Sequence, residues 1–453
     1  MFQPREEARD REALEALQLE RLRRTVARIA AHNPAYHRHL GGVAPGDIAR
    51  LSDLEALPFL TKERLRDGYP YGMACAGPEP VLRVHMSSGT TGAPVVNPYT
   101  AADVQQWREV MARSYVAAGV GAGDVISVTA SFGLFTGGFG FHYGAEVIGA
   151  MVVPVGAGRT LLQLQLIRDL QATAVAGIAT YPLRMIEVAR EEGFDFRKTR
   201  LRVAILGSEP WSDELRARIE AEMGVRTFDI VGMTETGGPG LGIDCAAREG
   251  IHVWDDHYLP EIVDPATGAP RPDGEPGELV VTTLTRQGLP LVRYRTRDLT
   301  RVRSRARCAC GRTAVRLDRL QGRTDDMVIW KGVNFYPRQV EQILLRQPGL
   351  DHEYQIVLES DPVRGERMVL CVEASAAFDQ AAEARLGREL RDFLSLSPEL
   401  RRLAVGEIPR APGKSVRVVD RRADRAVTPD RERTATCGTW TPPSSGPSPP
   451  APR

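Results

Sequence analysis

The stretch "RVAILGSEPWSDELRARIEAEMGVRTFDIVGM", residues 202–233, reads as strand, turn, helix, strand. "RVAILGS" (202–208) and "TFDIVGM" (227–233) are short apolar runs. Between them "SDELRARIEAEMG" (212–224) has helical spacing, with Ser212 as a suitable N-cap. Upstream the alternation repeats. "DVISVTA" (124–130), "GAMVVPV" (149–155) and "TAVAGIA" (173–179) read as strands, and "RTLLQLQLIRDLQ" (159–171) and "PLRMIEVAREEG" (182–193) as helices. Such alternation predicts an α/β fold with a parallel sheet, in which ligands bind at the carboxyl ends of the strands. "LGSEPW" and "VGMTETGG" lie at those ends.

After "GELVVTTL" (277–284) the pattern changes to short, turn-rich pieces, "RYRTRDLT" and "CACGR". "GRTDDMVIWKGVNFYP" (322–337) then opens a smaller α+β unit. It reads as a strand, a helix over 337–346, strands over 354–359 and 366–373, and a helix over 382–395. The expected domains are 1–322 and 323–422, followed by a Pro/Ser-rich tail, 423–453, expected to be disordered. At the other end, Leu14, Leu17, Leu22, Val26 and Ile29 predict an amphipathic helix.

The 453 residues suffice for two or three domains. A net charge of +1 and 42% apolar content give no strongly basic surface for nucleic acid or membrane. The longest apolar runs are too short to span a bilayer, and the charged N-terminus has no signal-peptide core, so a cytoplasmic location is expected. Only Lys62, Lys198, Lys331 and Lys414 are lysines among the 59 cationic Lys and Arg side chains. Lys331 and Lys414 sit in Gly-containing turns and stand out as functional candidates, whereas Lys62 and Lys198 read as surface residues.

"HMSSGTTGAPVVNPYT" (85–100) has the Gly/Ser/Thr content of a phosphate-binding loop but lacks the lysine of a P-loop. Backbone N–H groups and hydroxyls can still wrap phosphates, so the cation must come from elsewhere. "SSGTTGAP" resembles the phosphate loop of the adenylate-forming superfamily of acyl-CoA synthetases, luciferases and adenylation domains. "MTETGGPG", "GELVVTTL", "YRTRDLT", "GRTDDMVIWKGVNFYP" and "PRAPGKSVRVVDRR" follow in that superfamily's order. "GLFTGGFGFHYGAE", "LGSEPWS" and "GVNFYPRQVE" resemble the phenylacetate–CoA ligase family within it, over residues 10–422 or so.

The resemblance implies activation of an aryl acid, phenylacetate or a substituted benzoate, to acyl-AMP with release of pyrophosphate, then transfer to coenzyme A. The alternative acceptor is a carrier-protein thiol, or an amine or hydroxyl of a second aryl acid. It implies that Ser87, Ser88, Gly89, Thr90, Thr91 and Gly92 hold the β/γ phosphates of ATP and that Thr234 meets the α-phosphate. Glu235 holds Mg²⁺. Ser208, Glu209 and Pro210 line the adenine, with Asp229, Val231, Gly232 and Met233 beside it. Val231 replaces the usual aromatic, so that contact becomes aliphatic. Asp298 takes the ribose hydroxyls, with Arg323 near ribose or phosphate. Lys414 is the adenylation lysine, on a small domain that rotates about a hinge at Asp325, and Lys331 belongs to the thioesterification face. Phe132, Phe135, Gly138, Phe141, His142 and Tyr181 line the acyl pocket, with glycines letting backbone approach a flat ring. The expected partners are small molecules and no nucleic acid or membrane, with a homodimer left open.

Six cysteines without a secretory signal argue against a disulfide framework. Cys245, His252, Cys308 and Cys310 form a Cys₃His set suited to structural zinc, while Cys75, Cys371 and Cys437 show no ligand spacing.

Overall fold

The computed structural model describes residues 1–75, 77–87, 93–331, 333–361, 365–409 and 416–422. The expected phosphate-loop residues Ser88, Gly89, Thr90, Thr91 and Gly92, together with Lys414 and the tail, lie outside the described residues. Two compact units, Met1–Arg338 and Gln339–Arg453, divide the chain. The division falls after the expected boundary at 322/323. Gly322–Arg323 pairs as a strand with Asp298–Leu299, which ties this segment to the first unit.

The predicted strands form the parallel half of a nine-stranded sheet. Met151–Val153, Val125–Val128, Ala174–Ile178, Val203–Gly207 and Arg226–Met233 lie side by side, all parallel. The intervening helices are Gly137–Val147, Thr160–Asp169, Tyr181–Glu191 and Asp213–Met223. Ser212 caps the last of these, its Oγ accepting from Leu215 N at 3.1 Å. Beyond Arg226–Met233 the sheet continues with four antiparallel strands, Gly238–Asp244, Ile251–Val253, Arg316–Leu317 and Val302–Ser304.

Helix Ala101–Ala117 packs against Gly137–Val147 over this sheet. A reciprocal cap starts it: Asp103 N donates to Thr100 Oγ1 and Thr100 N to Asp103 Oδ2. A four-stranded sheet carries Tyr258–Val263, Gly277–Thr283, Tyr294–Thr300 and Gly322–Arg323. The N-terminal helix, Arg11–His32, buries Leu14, Leu22, Val26 and Ile29. Among the described residues no helix is long and apolar enough to cross a membrane.

The second unit has a four-stranded sheet in the order Glu399–Leu403, Gly365–Ala374, Leu350–Asp361, Val418–Arg421. Its central pair is antiparallel and both edge pairings are parallel. Helix Gln380–Leu394 buries Ala382, Leu386 and Leu390.

Candidate active site

Two strand ends build the mouth of the site. After Val203–Gly207 the chain turns at Ser208, which takes φ 74°, a left-handed conformation costly for a residue with a side chain. Glu209 is fixed there: its Oε1 accepts from Thr180 Oγ1 at 2.6 Å and Thr180 N at 3.1 Å. After Arg226–Met233 comes Thr234-Glu235. Asn97 Nδ2 donates to the carbonyls of both, at 2.6 and 3.2 Å. Asn97 is in turn held by Arg286, whose Nη2 donates to Asn97 Oδ1 at 2.9 Å. The chain that follows the expected phosphate loop thus fixes the backbone of Thr234 and Glu235. The base of that loop is closed by Ser87, whose Oγ accepts from Val95 N at 2.9 Å.

Glu235, Asp298 and Arg323 share one electrostatic neighbourhood. Burial, and next the Glu235 charge, push the Tyr294 phenol well above its ordinary value, with Arg323 opposing and Asp298 adding. Arg323 Nη1 stands 3.8 Å from Asp298 Oδ1. Its Nε and Nη2 donate to both oxygens of Asp325. Burial alone would raise the Asp325 carboxyl, but hydrogen bonds from Arg323 and then Arg297 hold it below the usual range. The expected hinge residue is therefore charged and pinned between two arginines.

Two placements depart from the sequence reading. Lys62 is not simply a surface residue: its Nζ lies 3.1 Å from Glu235 Oε1. No spacing could reveal that pair, since its members are far apart in the chain. Asp229 is engaged within the protein. Its Oδ2 accepts from Arg319 Nε at 2.7 Å, and its N–H donates to Asp244 Oδ1. Val231 is buried, in register with Gly242, while Gly232 pairs with Pro239 and Met233 with Gly238. Lys331 is exposed at φ 47°, with its Nζ 5.2 Å from the Trp330 ring centre.

The aromatic segment adjoins strand Arg83–Met86, which leads toward the expected phosphate loop. Met86 N donates to Leu134 O and makes the junction. Phe132 is half-buried against Phe139 and His142, and Phe135 is 51% exposed. His142 pairs with Glu146 at 3.2 Å. Tyr181 hydrogen-bonds Thr160 and Gly158 O.

Phe141, expected in the acyl pocket, is instead a core side chain. It is 3% exposed, its ring faces Tyr115, and its carbonyl accepts from the Tyr115 hydroxyl. The glycines also serve packing. A Cβ on Gly140 would come within 2.8 Å of the Trp107 ring and 2.6 Å of Pro239, and one on Gly138 within 2.7 Å of Ser131 O. They bring the helix close to protein neighbours rather than to a flat ligand. Phe135→Ala is accordingly expected to raise KM for the acid about tenfold with KM for ATP unchanged. Phe141→Ala should instead cost about 3–5 kcal/mol of stability, read by denaturant unfolding.

Beyond the end of strand Gly238–Asp244 opposite to Thr234, Cys245, His252, Cys308 and Cys310 converge, all four ligand atoms lying within 4.8 Å of one another. Cys245 Sγ is 3.8 Å from Cys308 Sγ, and Cys310 Sγ is 3.6 Å from His252 Nε2. A tetrahedron with Zn–S bonds of about 2.3 Å has S–S edges of about 3.8 Å, so the set has the dimensions of a zinc cage. The 3.8 Å gap also excludes a disulfide between these two thiols. The Gly311 N–H to Cys308 O hydrogen bond closes the Cys-x-Cys turn.

Residues 31–285 match the AMP-binding enzyme family and residues 332–422 match the AMP-binding enzyme C-terminal domain. With this match, the chain belongs to the AMP-binding enzyme family. The phenylacetate-coenzyme A ligase of Thermus thermophilus is 42% identical over 441 residues, covering 92% of this chain and 99% of its own. That of Escherichia coli is 41% identical over 422 residues, covering 90% and 95%. Among solved structures, 2-hydroxyisobutyryl-CoA ligase in the postadenylation state with 2-HIB-AMP is similar at a TM-score of 0.85 and 28% identity, covering 92% of this chain and 91% of that one.

Proposed function

We infer that the acid activated by this AMP-forming acid–coenzyme A ligase is aromatic, phenylacetate or a substituted benzoate. One observation carries the reading. The aromatic segment Phe132–Phe135 and the nucleotide residues Thr234 and Glu235 are both tied to the hairpin that bears the phosphate loop. An aryl ring on that segment has its carboxylate beside the phosphates.

Carboxylate attack on the α-phosphate brings two anions together, so the site must supply positive charge as the transition state forms. The buried Glu235 Oε1 makes no hydrogen bond and suits a divalent cation. Bound there with ATP, Mg²⁺ supplies charge neutralisation to the phosphates. Thr234 orients the α-phosphate, Asp298 accepts from the ribose hydroxyls, and Ser87 anchors the loop. Lys414 bridges the acyl carboxylate and the α-phosphate. The domain bearing it turns about Asp325, so that CoA displaces AMP after Lys414 has left. The Cys₃His cage holds structural zinc, and the protein works in the cytoplasm.

A hydroxamate-trapping panel of aryl acids, with and without CoA, tests the reading. Phenylacetate or a benzoate should give the strongest trapping, and CoA should convert it to thioester. Activity only with aliphatic acids overturns the aromatic assignment. Thioester formation only with a carrier protein favours the alternative acceptor. Asp298→Ala should raise KM for ATP about tenfold or more in initial-rate kinetics, with KM for the acid little changed.

A further inference from the structure

Lys62 begins a five-residue helix, Lys62–Arg66, whose N-cap Thr61 accepts from Arg64 N at 3.3 Å. Its ammonium is 3.1 Å from Glu235 Oε1, with the two side chains 28% and 6% exposed. Oε1 has no hydrogen-bond partner in the structure. The contact is therefore purely ionic. The helix is also fastened at its next residue, since Glu63 accepts from Arg297 Nη2 at 2.6 Å and Arg297 Nη1 donates to Asp325 at 3.1 Å. The ammonium is thus held at the site and has not merely drifted there.

Residue type matters as much as position. Nearly all cations of this chain are arginine, and its buried carboxylates are gripped by guanidinium groups, as Asp256 is by Arg113 through two hydrogen bonds. Glu235 instead faces a lysine. A guanidinium locks a carboxylate in a fork, whereas an ammonium is a point charge that can release it. A buried carboxylate left alone is costly, so something must neutralise Glu235 whenever no metal is bound.

We propose that Lys62 is the resident counter-cation of Glu235 and competes with the divalent metal for it, a proposal that rests on the reading of Glu235 as the metal ligand. Mg²⁺ binds oxygen at about 2.0–2.1 Å, and two cations drawn to one oxygen repel each other. Metal therefore binds well only together with the negative charge of the nucleotide phosphates. It is released when pyrophosphate leaves, as Lys62 returns to Glu235. Lys62 acts through Glu235 and is a positioning residue.

The test measures Mn²⁺ binding by electron paramagnetic resonance of free Mn²⁺, with α,β-methylene ATP present, and needs no turnover. K62M should bind Mn²⁺ about tenfold more tightly than wild type, K62R should bind it more weakly than wild type, and K62M should have no effect in an E235Q background. Unchanged or weaker binding by K62M overturns the proposal, as does a K62R that behaves like K62M. If E235Q binds Mn²⁺ as wild type does, the reading of Glu235 as ligand fails first, and the proposal falls with it.

Discussion

Lys414→Ala is expected to lower acid-dependent ATP–pyrophosphate exchange by about 10²–10³-fold while sparing CoA transfer from supplied acyl-AMP. The reason is charge that develops late. The attacking carboxylate and the α-phosphate both carry negative charge, and a cation that bridges them gains most at the transition state. In the second half-reaction a neutral thiol or thiolate displaces AMP, and no lysine is needed between the same two groups. A split between the half-reactions thus separates Lys414 from a residue that merely holds the fold, which would depress both. Exchange at the wild-type rate would remove Lys414 from the adenylation step. With Lys414 in that role, the expected phosphate loop in 85–100, which has Ser and Thr hydroxyls and no lysine, takes its cation from another part of the chain.

The Cys₃His cluster, with zinc as its proposed occupant, carries the second large effect. Protein purified in reductant should hold about one equivalent of zinc, and Cys308→Ser should lose it and lower Tm by about 10 °C. The ligands join distant pieces of chain. Cys245 follows strand Gly238–Asp244, His252 lies in strand Ile251–Val253, and Cys308 and Cys310 lie in the loop between the last two strands of the large sheet. Without metal, two buried thiols, a buried imidazole and a half-buried thiol have little beyond one another and a long contact from Cys308 Sγ to Glu249 Oε2 at 4.0 Å. Metal analysis at less than about half an equivalent would count against the cage. Because the cluster lies away from Thr234 and Glu235, its loss should reach KM only through stability.

The parallel strands and their helices were legible because each is a short apolar run or a 3.6-residue pattern between turn residues. Ser212 and the Cys₃His set were legible for similar reasons, the first from local capping chemistry, the second from residue types scarce elsewhere in the chain. The antiparallel half of the large sheet was not. Strand Gly238–Asp244, "GPGLGID", has three glycines and no alternation, and Arg316–Leu317, on the other side of Ile251–Val253, is two residues long. Helix Ala101–Ala117 left only its Thr100–Asp103 cap as a signal. The roles of Phe141 and Gly140 depended on Tyr115, Trp107 and Pro239 across the packing interface, and no local pattern carries that information. The Lys62–Glu235 pair lies on the same side of this limit.

The scarcity of lysine has an analytical consequence. Amine-acylating reagents find three lysine side chains among the described residues. Lys198 and Lys331 are exposed, while Lys62 is shielded by its carboxylate partner. Peptide mass spectrometry of a briefly acylated sample therefore carries its own reference in Lys198 and a local reporter in Lys62. On the proposal that Lys62 and the metal compete for Glu235, the ratio of the two should follow metal occupancy during a titration, without a dye, a label or a coupled assay.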